Sequence, residues 1–92
     1  MIKNKDAFGR FFADAREKSG LSQLALAKKL GYSSPQYVSN WERGICGPPI
    51  EKLGVMSNVL VIKPEILLRM ILNETEDYLR IELKLPRAKR SH

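Results

Sequence analysis

The sequence predicts an all-α fold, five short helices in one compact domain followed by a C-terminal helical extension. Three observations carry it. Apolar residues recur at helical spacing in successive windows. Glycines that end helices, and serines and prolines that open them, punctuate the chain at short intervals. Alternation of strand type is confined to residues 79–85. With 92 residues the chain can build one hydrophobic core.

Each element has its own signals. Phe8, Phe11, Phe12 and Ala15 fall at i, i+3, i+4 and i+7 and make one apolar stripe, which Ser19-Gly20 closes. Ser22 is an N-cap for the second helix, with Leu21 and Leu26 at the spacing of a hydrophobic staple, and Gly31 ends it. Ser33-Ser34-Pro35 opens the third, about 34–43, with a serine cap and proline at the first helical position. Val38 and Trp41 turn that helix inward and Gly44 closes it. Pro48-Pro49 open a fourth helix carrying Ile50, Leu53, Met56 and Leu60, and Lys63-Pro64 a fifth carrying Ile66, Leu67, Met70 and Ile71. Gly9 and Gly54 lie inside predicted helices, where each costs about 1 kcal/mol against alanine; both are read as points of close helix packing. After Asp77, Leu79, Ile81, Leu83 and Leu85 alternate with Arg80, Glu82 and Lys84, while the residue types favour helix. Helix is preferred over strand there, and either form leaves an apolar face for a partner.

Composition narrows the function classes. Sixteen Lys and Arg against ten Asp and Glu give a net charge of +6 and a pI near 9.7, which favours a polyanionic partner. Residues 1–48 carry net +4 and residues 64–85 net −2, so the N-terminal half is the one suited to phosphates. Apolar runs such as Val59–Ile62 are far below the roughly 20 residues that cross a bilayer. The first residues lead into no signal-peptide core, so a cytoplasmic location and no membrane association are expected. Cys46 has no second cysteine to pair with, and His92 is the last residue. With no metal cluster, no Walker loop and no nucleophile–base pair, the expectation is a non-enzyme without catalytic residues, metal or cofactor. Cys46 reads as a small apolar loop residue.

The informative stretch runs from Ser22 to Gly44. Helix, glycine turn and helix is a geometry that presents its second helix to the DNA major groove. Ala27 is small enough for a close helix crossing, Gly31 can take the positive φ that redirects the chain, and Leu26, Leu30, Val38 and Trp41 would lock the crossing angle. Arg16, Gly20-Leu21-Ser22-Gln23, Leu26-Ala27, Gly31, Val38-Ser39, Glu42-Arg43-Gly44, Pro49, Leu53 and Leu60 together resemble the phage repressor and Cro-type (xenobiotic-response-element-like) helix-turn-helix regulators over about residues 7–72.

That resemblance implies a compact five-helix, repressor-like DNA-binding domain over 1–75. Residues 76–92 would be an extension and basic tail able to serve dimerisation. It implies double-stranded DNA as partner, read by helix 3, with Ser34, Gln36, Tyr37 and Asn40 facing the bases. Gln and Asn can pair bidentately with adenine. Ser22, Gln23, Lys28, Ser39 and Arg43 would meet phosphates, and Arg16 with Glu42 would form a structural ion pair between helices 1 and 3. Tyr37 reads equally as a packing residue. The segment from Gly31 to Glu42 is one residue longer than in the phage repressors and contains Pro35, and the loop 44–48 has no basic residue.

The leading expectation is a homodimeric transcriptional repressor on a roughly palindromic operator with half-sites about 34 Å apart. The alternatives are an antitoxin-like regulator whose residues 64–85 grip a toxin, and a protein-interaction module of the same fold.

Overall fold

Ser22 shows how local chemistry starts an element: its Oγ accepts the Ala25 N–H at 3.0 Å, satisfying a donor that the new helix cannot satisfy itself. In the computed structural model, which describes residues 5–89, five α-helices form and no strand is present among the described residues. α1 spans Lys5–Lys18, α2 Gln23–Lys29, α3 Gln36–Glu42, α4 Leu53–Val59 and α5 Pro64–Glu82, with a 3₁₀ turn at Ile50–Lys52 leading into α4. Arg90, Ser91 and His92, the end of the basic tail, lie outside the described residues.

The apolar stripes converge on one core. Phe8 and Phe12 of α1, Leu26 and Ala27 of α2, Val38 and Trp41 of α3, Met56 of α4 and Leu67 of α5 are all buried, with Leu30 and Leu60 from the helix ends. Phe8 and Phe12 pack ring on ring at 4.6 Å. α5 joins this core mainly through its first half; beyond it Leu72, Leu79, Ile81, Leu83 and Leu85 are exposed.

All five helices end alike. The residue two past the last helical one takes a left-handed φ, and the next N–H reaches back five residues to a carbonyl. Leu21 donates to Arg16 O (3.2 Å), Tyr32 to Ala27 O (2.9 Å) and Ile45 to Asn40 O (2.9 Å). Ile62 donates to Ser57 O (2.9 Å) and Leu85 to Arg80 O (2.8 Å). Glycine supplies the left-handed residue after α1, α2 and α3, whereas Val61 (φ 55°) and Lys84 (φ 58°) supply it after α4 and α5.

α3 is pressed hard against α1. A Cβ on Gly9 would lie 2.5 Å from the Glu42 carbonyl oxygen and 2.7 Å from that of Trp41. Only a residue without a side chain permits this approach, so Gly9 is the close-packing glycine expected of it. Gly54 is not: a Cβ there would meet nothing within 4 Å.

Other expectations need correction. α3 starts at Gln36, with Pro35 rather than Ser34 in the N-cap position, because Ser39 N–H bonds the Pro35 carbonyl (2.9 Å). Ser34 Oγ makes only a long contact to Gln36 N–H (3.4 Å). The fourth helix begins as a 3₁₀ turn, whose tighter winding leaves Ile50 81% exposed instead of in the core. Ile66 is also exposed, Leu67 being the residue α5 buries. α5 opens with Pro64 at the first helical position and continues without a break through 75 and 76 to Glu82, so residues 78–82 are helical.

Candidate nucleic-acid interface

α3 buries Val38 and Trp41, which turns Gln36, Asn40 and Arg43 to the opposite side, one helical face at i, i+4 and i+7. These side chains are tied together. Asn40 Oδ1 accepts from Gln36 Nε2 at 2.9 Å and from Arg43 Nη2 at 2.9 Å, while Arg43 Nε donates to Ser39 Oγ at 3.2 Å. The network orders long side chains without exhausting them. A Gln amide nitrogen carries two hydrogens, so one N–H and the side-chain carbonyl of Gln36 stay available for a base edge. Arg43 retains its Nη1 donors. Ser34 and Tyr37 are exposed beside this face, Tyr37 stacked on Tyr32 with ring centroids 4.4 Å apart.

The orientation of α3 is set from behind by a three-helix clamp. Glu42, whose side chain is 8% exposed, receives Arg16 Nε on Oε2 (2.6 Å) and Arg16 Nη2 on Oε1 (3.1 Å). Arg16 Nη1 adds a bond to the Leu21 carbonyl (2.8 Å). This fork-to-carboxylate geometry is rigid as well as strong. The hydrogen bond to Glu42 raises the Arg16 pKa beyond its already high ordinary value, against the opposing effect of burial. A raised folded-state pKa stabilises fully below the ordinary value and is lost only above it, so this contribution persists throughout the neutral range. Gln23 closes the clamp from α2: its Nε2 donates to Glu42 Oε1 at 2.9 Å. One N–H of that amide remains free to donate to an anion such as a phosphate oxygen; its carbonyl can only accept.

The surface charge follows. The acid of α3 faces Arg16, and neither α2 nor α3 has an acidic residue in its first turn to offset the positive end of its dipole. Lys28, Lys29 and Arg43 are exposed. Ser22, Gln23 and Lys28 therefore lie on α2 and its cap, and Ser39 and Arg43 on α3.

A helix-turn-helix family model matches residues 12–67, which contain α2, the turn, α3 and α4 entire. The chain belongs to the phage repressor and Cro-type helix-turn-helix family. No curated protein matches it. As a member of this family it is a DNA-binding transcriptional regulator, and the family is not an enzyme family. Among the described residues no helix is long and apolar enough to cross a membrane. Nor does any group of three or more His, Cys, Asp or Glu among them stand ready to hold a metal ion.

For a helix-turn-helix regulator two residues of the turn region were not singled out in the sequence. Lys52, in the 3₁₀ turn, donates from Nζ to the Leu30 carbonyl at 2.8 Å and lies 5.2 Å from the centroid of the Tyr32 ring. Tyr32 had a readable signal, since the residue after a left-handed helix-ending glycine commonly packs back on its helix. Lys52 had none, because its target is 22 positions away.

Proposed function

We propose that the protein is a sequence-specific repressor that binds operator DNA as a homodimer, with α3 of each copy in the major groove. The observation that carries this is the ordered Gln36–Asn40–Arg43 network on an exposed helix face. Gln36 and Asn40 offer amides suited to adenine, with Ser34 and Tyr37 beside them as further base contacts. Ser22, Gln23, Lys28, Ser39 and Arg43 hold the phosphates that fix the register.

A length argument supports the second copy. Seven residues of helix extend about 10 Å, the rise of about three base pairs at 3.4 Å each. One such helix reads too little sequence to find an operator. Two copies related by a dyad double the reading, and the exposed apolar residues of the distal half of α5 offer a surface for pairing. Repression then follows from covering DNA that polymerase needs.

Selection from a random duplex library, read for motif and salt dependence, tests the proposal. A two-fold symmetric motif with half-sites about one turn apart is expected. Weak binding to all sequences, falling steeply with salt, would sink it. The mass of the complex in solution separates a second copy from an antitoxin-like arrangement in which α5 holds a different protein.

A further inference from the structure

Tyr37 stands outside the amide network, yet its ring is not loose. It is 52% exposed and stacks on Tyr32 at 4.4 Å with the planes 25° apart. Tyr32 is in turn fixed on several sides. Its backbone N–H bonds the Ala27 carbonyl at 2.9 Å, and its ring meets Trp41 edge-on at 5.9 Å. The Lys52 ammonium lies over the same ring while bonding the Leu30 carbonyl at the end of α2. The result is a chain of contacts from the core through Tyr32 to a half-exposed ring in the first turn of α3.

We propose that Tyr32 is a positioning residue for specificity: it holds Tyr37 where the ring packs against the 5-methyl group of a thymine. This rests on the reading of DNA by α3 proposed above. The thymine methyl is the apolar feature that base edges display in the major groove, and an apolar side chain is what recognises it. A ring already ordered by stacking loses little rotamer freedom when it meets the base, so discrimination is not spent on ordering. Tyr37 directly follows Gln36, whose amide suits adenine, so the two neighbours are fitted to complementary features of A·T pairs. Lys52 acts one step further back, through Tyr32.

The test uses the full chain and the selected operator, with each thymine replaced in turn by deoxyuridine, which lacks only the methyl. Wild type should lose about fourfold in affinity at one thymine per half-site, the worth of burying one methyl group. Tyr37→Ala should bind thymine and deoxyuridine there equally while its melting temperature holds. Tyr32→Leu should lose the same discrimination, and Tyr32→Phe, which keeps the stack, should retain it. A role for the Tyr37 hydroxyl on a phosphate would instead weaken Tyr37→Phe on all sequences alike, and that result overturns the inference. So does a thymine preference unchanged in Tyr37→Ala, or no thymine above twofold in wild type. A specific operator without the methyl effect overturns this inference alone, whereas failure to select any operator overturns the proposed function with it.

Discussion

The three helices that precede residue 43 and the distal half of α5 are built on opposite plans. In the first region polar groups reach across elements: Arg16, Gln23 and Glu42 join three helices, Lys52 grips the end of α2, and Gly9 lets α1 and α3 approach backbone to backbone. In the second a single helix leaves the core after its first half and keeps Leu72, Leu79 and Ile81 in solvent. Reading DNA needs a helix that does not shift by an ångström, because hydrogen bonds to base edges are directional. Association needs a face left unsatisfied until a partner arrives. Under the proposed function the two regions differ in role, and substitutions can be chosen that act on one and spare the other.

The largest effect expected is on the second region. Leu72→Glu with Leu79→Glu, both at exposed positions, should move the protein to a monomer by light scattering. Its affinity for a palindromic operator should fall by about 10²–10⁴-fold, the scale of lost bivalency. The stability of the isolated chain should change by no more than about 0.5 kcal/mol per site, as for surface substitutions generally. Unaltered mass would show that this face is not the pairing surface.

Next come two changes to the clamp. Glu42→Ala strips the partner from the largely buried Arg16 guanidinium and from the Gln23 amide, and should cost about 3 kcal/mol in chemical denaturation. Gly9→Ala adds a Cβ 2.5 Å from a backbone carbonyl that cannot swing aside. About 2 kcal/mol of overpacking is expected, a fall in melting temperature on the order of 10 °C. Little change would mean that α1 and α3 separate easily, and the contrast between the two regions would dissolve.

Within the reading face itself, Gln36→Ala should cost about 1–3 kcal/mol on the best operator and relax preference at one base pair. Lys28→Ala should weaken binding on all sequences about equally and flatten the salt dependence by roughly one phosphate. The measurement is a paired titration of both variants on the selected operator and on scrambled DNA. Identical behaviour would remove Gln36 from the bases.

How far these features could be read in the sequence divides along the same line. Periodicity and caps located every helix, because Phe8, Phe12, Leu26, Val38 and Trp41 repeat at helical spacing and Ser22 and Pro64 act on their own neighbourhoods. The Gly9 approach was legible from a glycine whose helix penalty demanded a reason. The serine-cap, proline signal at Ser34-Pro35 places the start of α3 one residue early: whether Ser34 or Pro35 takes the N-cap position depends on which carbonyl Ser39 reaches. Ile50 falls off the core face because a 3₁₀ turn advances about 120° per residue where the α period assumes about 100°. Gln23 on Glu42, Lys52 on Leu30 and the Tyr32–Tyr37 stack depend on how elements meet, and local pattern carries no record of that.

The smallest effect concerns the helix ends, where the same division returns. α1, α2 and α3 close on Gly20, Gly31 and Gly44, but α4 closes on Val61 at φ 55° with 86% of its surface exposed. A β-branched residue is among the worst suited to that conformation, which costs an L-residue roughly 1–2 kcal/mol. Its exposed side chain recovers little of this through packing. Val61→Gly should therefore relieve strain, part of the gain being offset by the greater freedom glycine has when unfolded. A net stabilisation of about 1 kcal/mol, or roughly 5 °C in melting temperature, is expected with operator affinity unchanged. A fall in melting temperature would mean instead that Val61 holds α4 and α5 together through its side chain. The connection between those helices would then be as purposefully constrained as the turn before α3.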